Sequence, residues 1–171
     1  KDYEKIYFDK NYNFVIEFIK EINKSGVEVD TIKQTEYFSS YFPRLNTSEN
    51  GWINWSDNVI ELERFICAFD DPYEGAKCLL KDKVVFIKKV CIDFSDQKFH
   101  SYQNGIVFRN NKQWLSVCTS GGTLIIEKVT DSKGISILKE INPGERFITD
   151  AAMLENRFKK IIYTSNGIKK L

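Results

Sequence analysis

The stretch Tyr37–Ala76 reads YFSSYFPRLNTSENGWINWSDNVIELERFICAFDDPYEGA, and its interpretation decides the fold. It holds two of the three prolines, Pro43 and Pro72, and two of the three tryptophans, Trp52 and Trp55. Val59, Leu62, Ile66 and Phe69 recur at spacings of three and four, with Phe65 beside them, which predicts one buried helix face. Ser56 is the expected N-cap, because its hydroxyl can accept from a free amide of the first turn. Trp55 and Ile60 then stand where a hydrophobic staple would join. Asp70-Asp71-Pro72 should end the helix, since a residue before proline avoids the helical conformation, and Gly75 supplies a turn. Asn46–Gly51 (NTSENG) reads as a turn by composition.

Upstream, Tyr12, Val15, Ile16, Ile19 and Ile22 predict a second amphipathic helix from about Lys10 to a stop near Gly26. A lone helix cannot bury such a stripe, so either the barrel or another domain must receive it. Residues 1–9 say little, and residues 27–36 read as a short strand or connector. Downstream the period shifts towards two. Strands are expected at 83–92, 105–110, 113–119, 123–129 and 135–139. Asn110-Asn111-Lys112 and Ser120-Gly121-Gly122 read as hairpin turns. A helix is expected over 149–159, capped by Thr149 or Asp150, then a strand-like tail from Lys160. The fold class is therefore α+β, mainly β: a small OB-like barrel preceded by a helical junction segment.

The 171 residues suit one domain, or one domain with an appendage, and 42% hydrophobic residues can fill a core. With 25 basic and 24 acidic residues the chain lacks the basic excess of a dedicated nucleic-acid binder. No apolar run is long enough to span a membrane, and no signal-peptide pattern opens the chain. Cys67, Cys78, Cys91 and Cys118 form no C-x-x-C pair and sit in apolar runs, which predicts free, buried thiols in a reducing cytoplasm. His100 is the single histidine, so no metal site is expected. A chain beginning at Lys1 reads as a segment of a longer protein.

YFPRLN (41–46), a polar turn ending in glycine, INWS (53–56) and LERFICAFDDPYEGA (62–76) together resemble the 10-formyltetrahydrofolate-dependent formyltransferases. The likeness is to their junction and C-terminal portion. GTLIIEKV (122–129), PGERF (143–147) and IYTSNGIK (162–169) look more like the members that formylate nucleotide-linked amino sugars than like methionyl-tRNA formyltransferase. The resemblance covers roughly residues 10–170. It implies that residues 1–36 are the end of a catalytic domain or a linker helix, 37–80 the junction and 81–171 the OB-like barrel. The family's catalytic asparagine, histidine and aspartate lie upstream, in motifs this sequence does not contain, and His100 stands too late in the chain to replace one. No catalytic residue and no cofactor is assigned to this segment; 10-formyltetrahydrofolate is implied for the parent enzyme. The expected partners are an N-terminal catalytic domain and a nucleotide-sugar acceptor, with tRNA as the lesser alternative and a homodimer as one allowed assembly. Where the family helix commonly carries Arg in IRAF, this chain has Cys67. A free-standing OB-like binding module is the alternative from another class.

Two residues stand out as substrate contacts on this reading. Arg44 suits bidentate contact with a phosphate, and Trp52 could stack on a base; the plainer roles are a surface salt bridge and core filling. His100, flanked by aromatics, reads as structural. Asp70-Asp71 reads as a helix end rather than a catalytic carboxylate pair. Gly121-Gly122 has no following helix and is a hairpin, not a phosphate loop. Lys88-Lys89, Lys159-Lys160 and Lys169-Lys170 would be the elements of any basic patch for RNA.

Overall fold

A computed structural model describes residues 2–24, 32, 33, 35, 40, 42, 45–96, 98–159, 162–164 and 167–169. The chain divides into two units, Lys1–Tyr41 and Phe42–Leu171.

The first unit contains helix α1 (Asp2–Ile22), which starts well before the predicted Lys10. Its aromatic and aliphatic face is exposed: Phe8, Tyr12, Phe14, Val15, Phe18, Ile19 and Ile22 are all open to solvent. Phe14 and Phe18, one turn apart, stack at 6.1 Å. Gly26 and most of the predicted connector at 27–36 lie outside the described residues.

The second unit is built on a six-stranded antiparallel sheet in the order β3-β4-β5-β2-β1-β6. The strands are β1 (Ala76–Leu80), β2 (Lys83–Asp93), β3 (Val107–Asn110), β4 (Leu115–Thr119), β5 (Gly122–Thr130) and β6 (Phe147–Ile148). The sheet curls until its two edge strands meet. Val107 donates to the Glu145 carbonyl at 2.8 Å, Gly144 to the Val107 carbonyl at 2.7 Å, and Phe147 to the Gly105 carbonyl at 2.9 Å. Curling pairs edge groups that would otherwise be exposed. This is the small OB-like β domain expected, with a helix before it.

Helix α3 (Val59–Ala68) packs against β2 and β5, and its stripe is the predicted one: Val59, Leu62 and Ile66 are buried, with Phe69 following. They join Val85, Ile87, Val107, Leu124, Ile126 and Phe147 in one core. The N-cap is Asn58, not Ser56. Asn54 ties residues 54–57 into a turn: its side chain accepts from the Ser56 amide at 3.2 Å and donates to Asp57 at 2.7 Å. The helix therefore begins later, where Asn58 Oδ1 accepts from the amides of Ile60 and Glu61, both at 3.0 Å. The staple falls with that cap. Trp55 is buried and stacks on Phe147 at 5.5 Å and 11°.

Four other elements differ from expectation. NTSENG contains a one-turn helix, α2 (Thr47–Asn50), because Asn46 caps it by accepting from the Ser48 amide at 2.9 Å. Strand β1 was not anticipated: AKCLL is buried at every position, so it shows no alternation to read. Residues 135–139 form no strand. They make a single bridge, Thr130 to Ser136, and pass into a 3-10 turn at Leu138–Glu140. Asn110 pins that turn by donating to the carbonyls of Leu138 at 3.0 Å and Ile141 at 2.6 Å. The helix expected at 149–159 is shorter, α4 (Ala151–Asn156), and Asp150 occupies its N-cap without a side-chain bond. Beyond it, β7 (Ile162–Thr164) and β8 (Gly167–Lys169) pair as a hairpin. Both predicted turns hold: Lys112 sits at φ 71° between β3 and β4, and Gly121 at φ 92° between β4 and β5.

Candidate functional site

The region around Trp52 is assembled from four separate parts of the chain. Residues 51–53 run parallel to the start of β1, with Ile53 donating to the Lys77 carbonyl at 2.9 Å and Lys77 to the Gly51 carbonyl at 2.7 Å. That pairing sets the Lys77 side chain beneath Trp52. The ammonium lies 4.4 Å from the indole centroid and also donates to the Ser48 carbonyl of α2. Lys77 is buried, 8% exposed. Desolvation lowers its pKa, opposed by the charges of Glu49 and Glu74. From the other end of the unit, Arg157 donates to the Trp52 carbonyl at 3.0 Å. Its guanidinium lies 5.0 Å from the ring of Phe65. Asn50, buried, donates to the Arg157 carbonyl at 2.6 Å and locks α4's end to α2.

Among the described residues neither Lys77 nor Arg157 forms an ion pair. Trp52 is half-buried, with one ring face against a cation. The arrangement therefore offers an aromatic surface backed by a buried cation and a half-buried arginine beside it, a combination suited to a phosphate-bearing aromatic ligand. Arg44, the other expected contact, lies outside the described residues. Lys77, Arg157 and Asn50 were not anticipated. Lys77 had one readable signal, a lysine enclosed between apolar strand residues in AKCLL. Arg157 had none, because its partner Trp52 is 105 residues away in sequence.

The remaining candidates resolve into structural roles. His100 caps the 3-10 turn Ser101–Gln103: its Nδ1 accepts from the Tyr102 amide at 3.2 Å, and Gln103 accepts from the His100 amide at 2.9 Å. Asp70 and Asp71 form a strap rather than an acid–base pair. Asp70 accepts from the Lys89 amide at 2.9 Å, and Asp71 accepts from the Lys88 ammonium at 2.9 Å. Lys88 is buried and also donates to the Tyr73 carbonyl, so it is withdrawn from any basic patch. All four cysteines are free, but only Cys78 and Cys118 are buried. Cys67 and Cys91 are exposed, contrary to expectation. Cys67 follows Ile66 on α3 and so turns off the buried stripe, and Cys91 occupies an open position on β2. Among the described residues no group of His, Cys, Asp or Glu could hold a metal ion, and no helix is long and apolar enough to cross a membrane.

Comparison with known proteins bears on this architecture directly. The model of the family described as "Formyl transferase, C-terminal domain" matches residues 46–143, more than half of the chain. A search of the curated proteins gives no match. Among solved structures, a multiply substituted variant of HypX from Aquifex aeolicus superposes with a TM-score of 0.50 at 15% identity, over 71% of this chain and 20% of that one. At that identity the likeness is one of fold. This chain spans about a fifth of the length of HypX.

Proposed function

This chain belongs to the formyl transferase C-terminal domain family, and on that premise we propose that it is the C-terminal part of an enzyme that transfers a formyl group from 10-formyltetrahydrofolate to a primary amine, the acceptor being an amino sugar on a nucleotide carrier. The chemistry belongs to a catalytic domain ahead of it: general-base removal of an amine proton, then stabilisation of the tetrahedral oxyanion. No catalytic residue is assigned within this chain. Its own task is to dock that domain and to shape the acceptor side of the cleft, and a homodimer is compatible with the same role. The apolar stripe of α1, which a lone helix cannot bury, is consistent with a catalytic domain packed upon it. Free thiols suit a reducing cytoplasm.

The observation that carries the acceptor class is the grouping of Trp52 with Lys77 and Arg157, two cations without carboxylate partners among the described residues. In this reading Trp52 takes the base through the ring face that Lys77 does not occupy. Arg157 meets the diphosphate, Lys77 supports the indole from beneath, and Arg44 is a second arginine expected at the phosphates.

Calorimetric titration with thymidine and uridine diphosphate sugars, a folate and a short RNA tests it. Nucleotide sugars should bind. Trp52→Ala should weaken them by about 1–3 kcal/mol, the usual worth of a stacked base, and Arg44→Ala should weaken them too. Binding of RNA in preference to nucleotide sugars would overturn the acceptor class and favour a tRNA substrate.

A further inference from the structure

Val85 and Ile87 on β2 and Val129 on β5 belong to the core. Side chains alternate along a strand, so Phe86 and Lys88 turn to the outer face of the sheet. Phe86 pairs there with Thr130, and Lys88 with Lys128. These four residues, with Glu74 and the turn at 131–134, wall a hollow of about 420 Å³, within the range of small-molecule sites.

Two of the side chains in that wall are more than nine-tenths buried and still have hydrogen-bonding capacity to spend. Thr130 is 7% exposed, and among the described residues its hydroxyl meets no partner. Unlike the Ser116 hydroxyl it is not sealed from solvent, so the little surface Thr130 keeps includes a free donor and acceptor on the wall of the hollow. Lys88 is also 7% exposed. It donates to Asp71 at 2.9 Å and to the Tyr73 carbonyl. An ammonium has three N–H donors, so one remains.

The charges around the hollow balance. Lys88, Lys128 and Lys133 face Glu74 and Asp131, and Asp71, bound to Lys88, evens the count at three each. Neither a cation nor an anion finds an excess of opposite charge there. Lys128, Lys133 and Glu74 form no ion pair among the described residues. One Asp131 oxygen accepts from the amides of Lys133 and Ile135, which leaves the other free. Phe86, half-buried, contributes an aromatic wall.

We infer that this hollow binds a neutral pyranose sugar. Such a ring carries hydroxyls that both donate and accept, and a face of C–H groups that packs on an aromatic ring. The hollow supplies the counterpart of each: donors in Lys88 and Lys133, acceptors in Glu74 and Asp131, a hydroxyl of either kind in Thr130, and the Phe86 ring. A phosphate would instead bring its charge against Glu74 and Asp131. The site shares no residue with the Trp52 grouping and does not depend on the formyl-transfer reading.

The test is an NMR titration of the 171-residue chain with methyl glucoside, methyl galactoside, methyl mannoside and N-acetylglucosamine, and with inorganic phosphate as the charged alternative. At least one sugar should give saturable shifts concentrated at the amides of Phe86, Lys88, Thr130 and Gly134, and phosphate should not. Thr130→Val removes the hydroxyl at nearly constant shape and should weaken that sugar about three- to tenfold, the worth of one hydrogen bond. Glu74→Ala, at an exposed position, should weaken it by a similar factor and decides the matter if Thr130→Val fails to fold. Failure of every sugar to bind saturably, shifts centred elsewhere, phosphate displacing the sugar from these amides, or affinity unchanged in the variants would overturn the inference.

Discussion

The Lys88 ammonium lies 2.9 Å from the Asp71 carboxylate, a buried cation held by an exposed anion. The contact ties the loop after α3 to the middle of β2, and the backbone of Lys89 adds a second tie to Asp70. Lys89 itself sits at φ 51°, and the β2–β5 ladder skips the Lys89–Glu127 pair without changing register. The hydrogen bond from Lys88, with its charge, holds the Asp71 carboxyl below its usual pKa. A depressed carboxylate stabilises the fold above its unfolded pKa, and that contribution is lost as pH falls through the folded value. Asp71→Asn should therefore lower the melting temperature at neutral pH and make little difference in acid. Thermal unfolding of both proteins across pH 2–7 checks this (pH range chosen around the carboxylate pKa of about 4). Adding Lys88→Met to Asp71→Asn should recover stability, since it removes the unpaired buried charge.

Asn58 and Ser56 compete for the start of α3, and the hydrogen bonds favour Asn58. Asn58→Ala should cost about 0.5–2 kcal/mol in urea denaturation. Ser56→Ala should fall within about 0.5 kcal/mol of the parent, as expected for a surface change. Equal costs would return the cap to Ser56.

Gly105 stands where the curled sheet meets itself. Its φ is 80°, and a Cβ there would meet the Phe147 carbonyl oxygen at 2.2 Å. Gly105→Ala should destabilise by more than about 1 kcal/mol, because the conformation and the contact are both unfavourable. Gly134 has the same handedness, φ 77°, with nothing within 4 Å of a Cβ. Gly134→Ala should cost less, and comparing the two by urea denaturation separates the contact from the conformation.

The thiols should react in two classes with Ellman's reagent. Cys67 and Cys91 are exposed and should label in the native protein. Burial, with Glu63 and Asp70 nearby, raises the Cys67 thiol, and burial with Glu127 and Glu63 nearby raises Cys91. Both should therefore label slowly at neutral pH and faster as pH rises. Cys78, fully enclosed and pushed up by burial, should label only on unfolding.

Legibility in the sequence followed length and periodicity. Ten residues of α3 and eleven of β2 are long enough for spacing to declare itself. Four residues of α2 and two of β6 are not. Strand β1 was hidden by burial on both faces, and the ISILK segment mimicked a strand until side-chain bonds from Asn110 bent it into a turn. At the candidate site Trp52 was read locally, and Lys77 carried one unread signal, a lysine among apolar residues in AKCLL. Arg157 reaches Trp52 through a hydrogen bond spanning 105 residues that no local pattern encodes. The family resemblance at 41–76 and the barrel it implied agree with the match over residues 46–143 and with the curled sheet.

The most direct measurement is a formyl-transfer assay on the protein expressed with all sequence its reading frame carries. It would be supplied with 10-formyltetrahydrofolate and either a thymidine diphosphate amino sugar or methionyl-tRNA, and the products read by mass spectrometry. An N-formylated sugar nucleotide is expected, formed less efficiently by Trp52→Ala. Formylmethionyl-tRNA as the product would contradict the acceptor class, and no formyl transfer to any amine would contradict a formyltransferase parent.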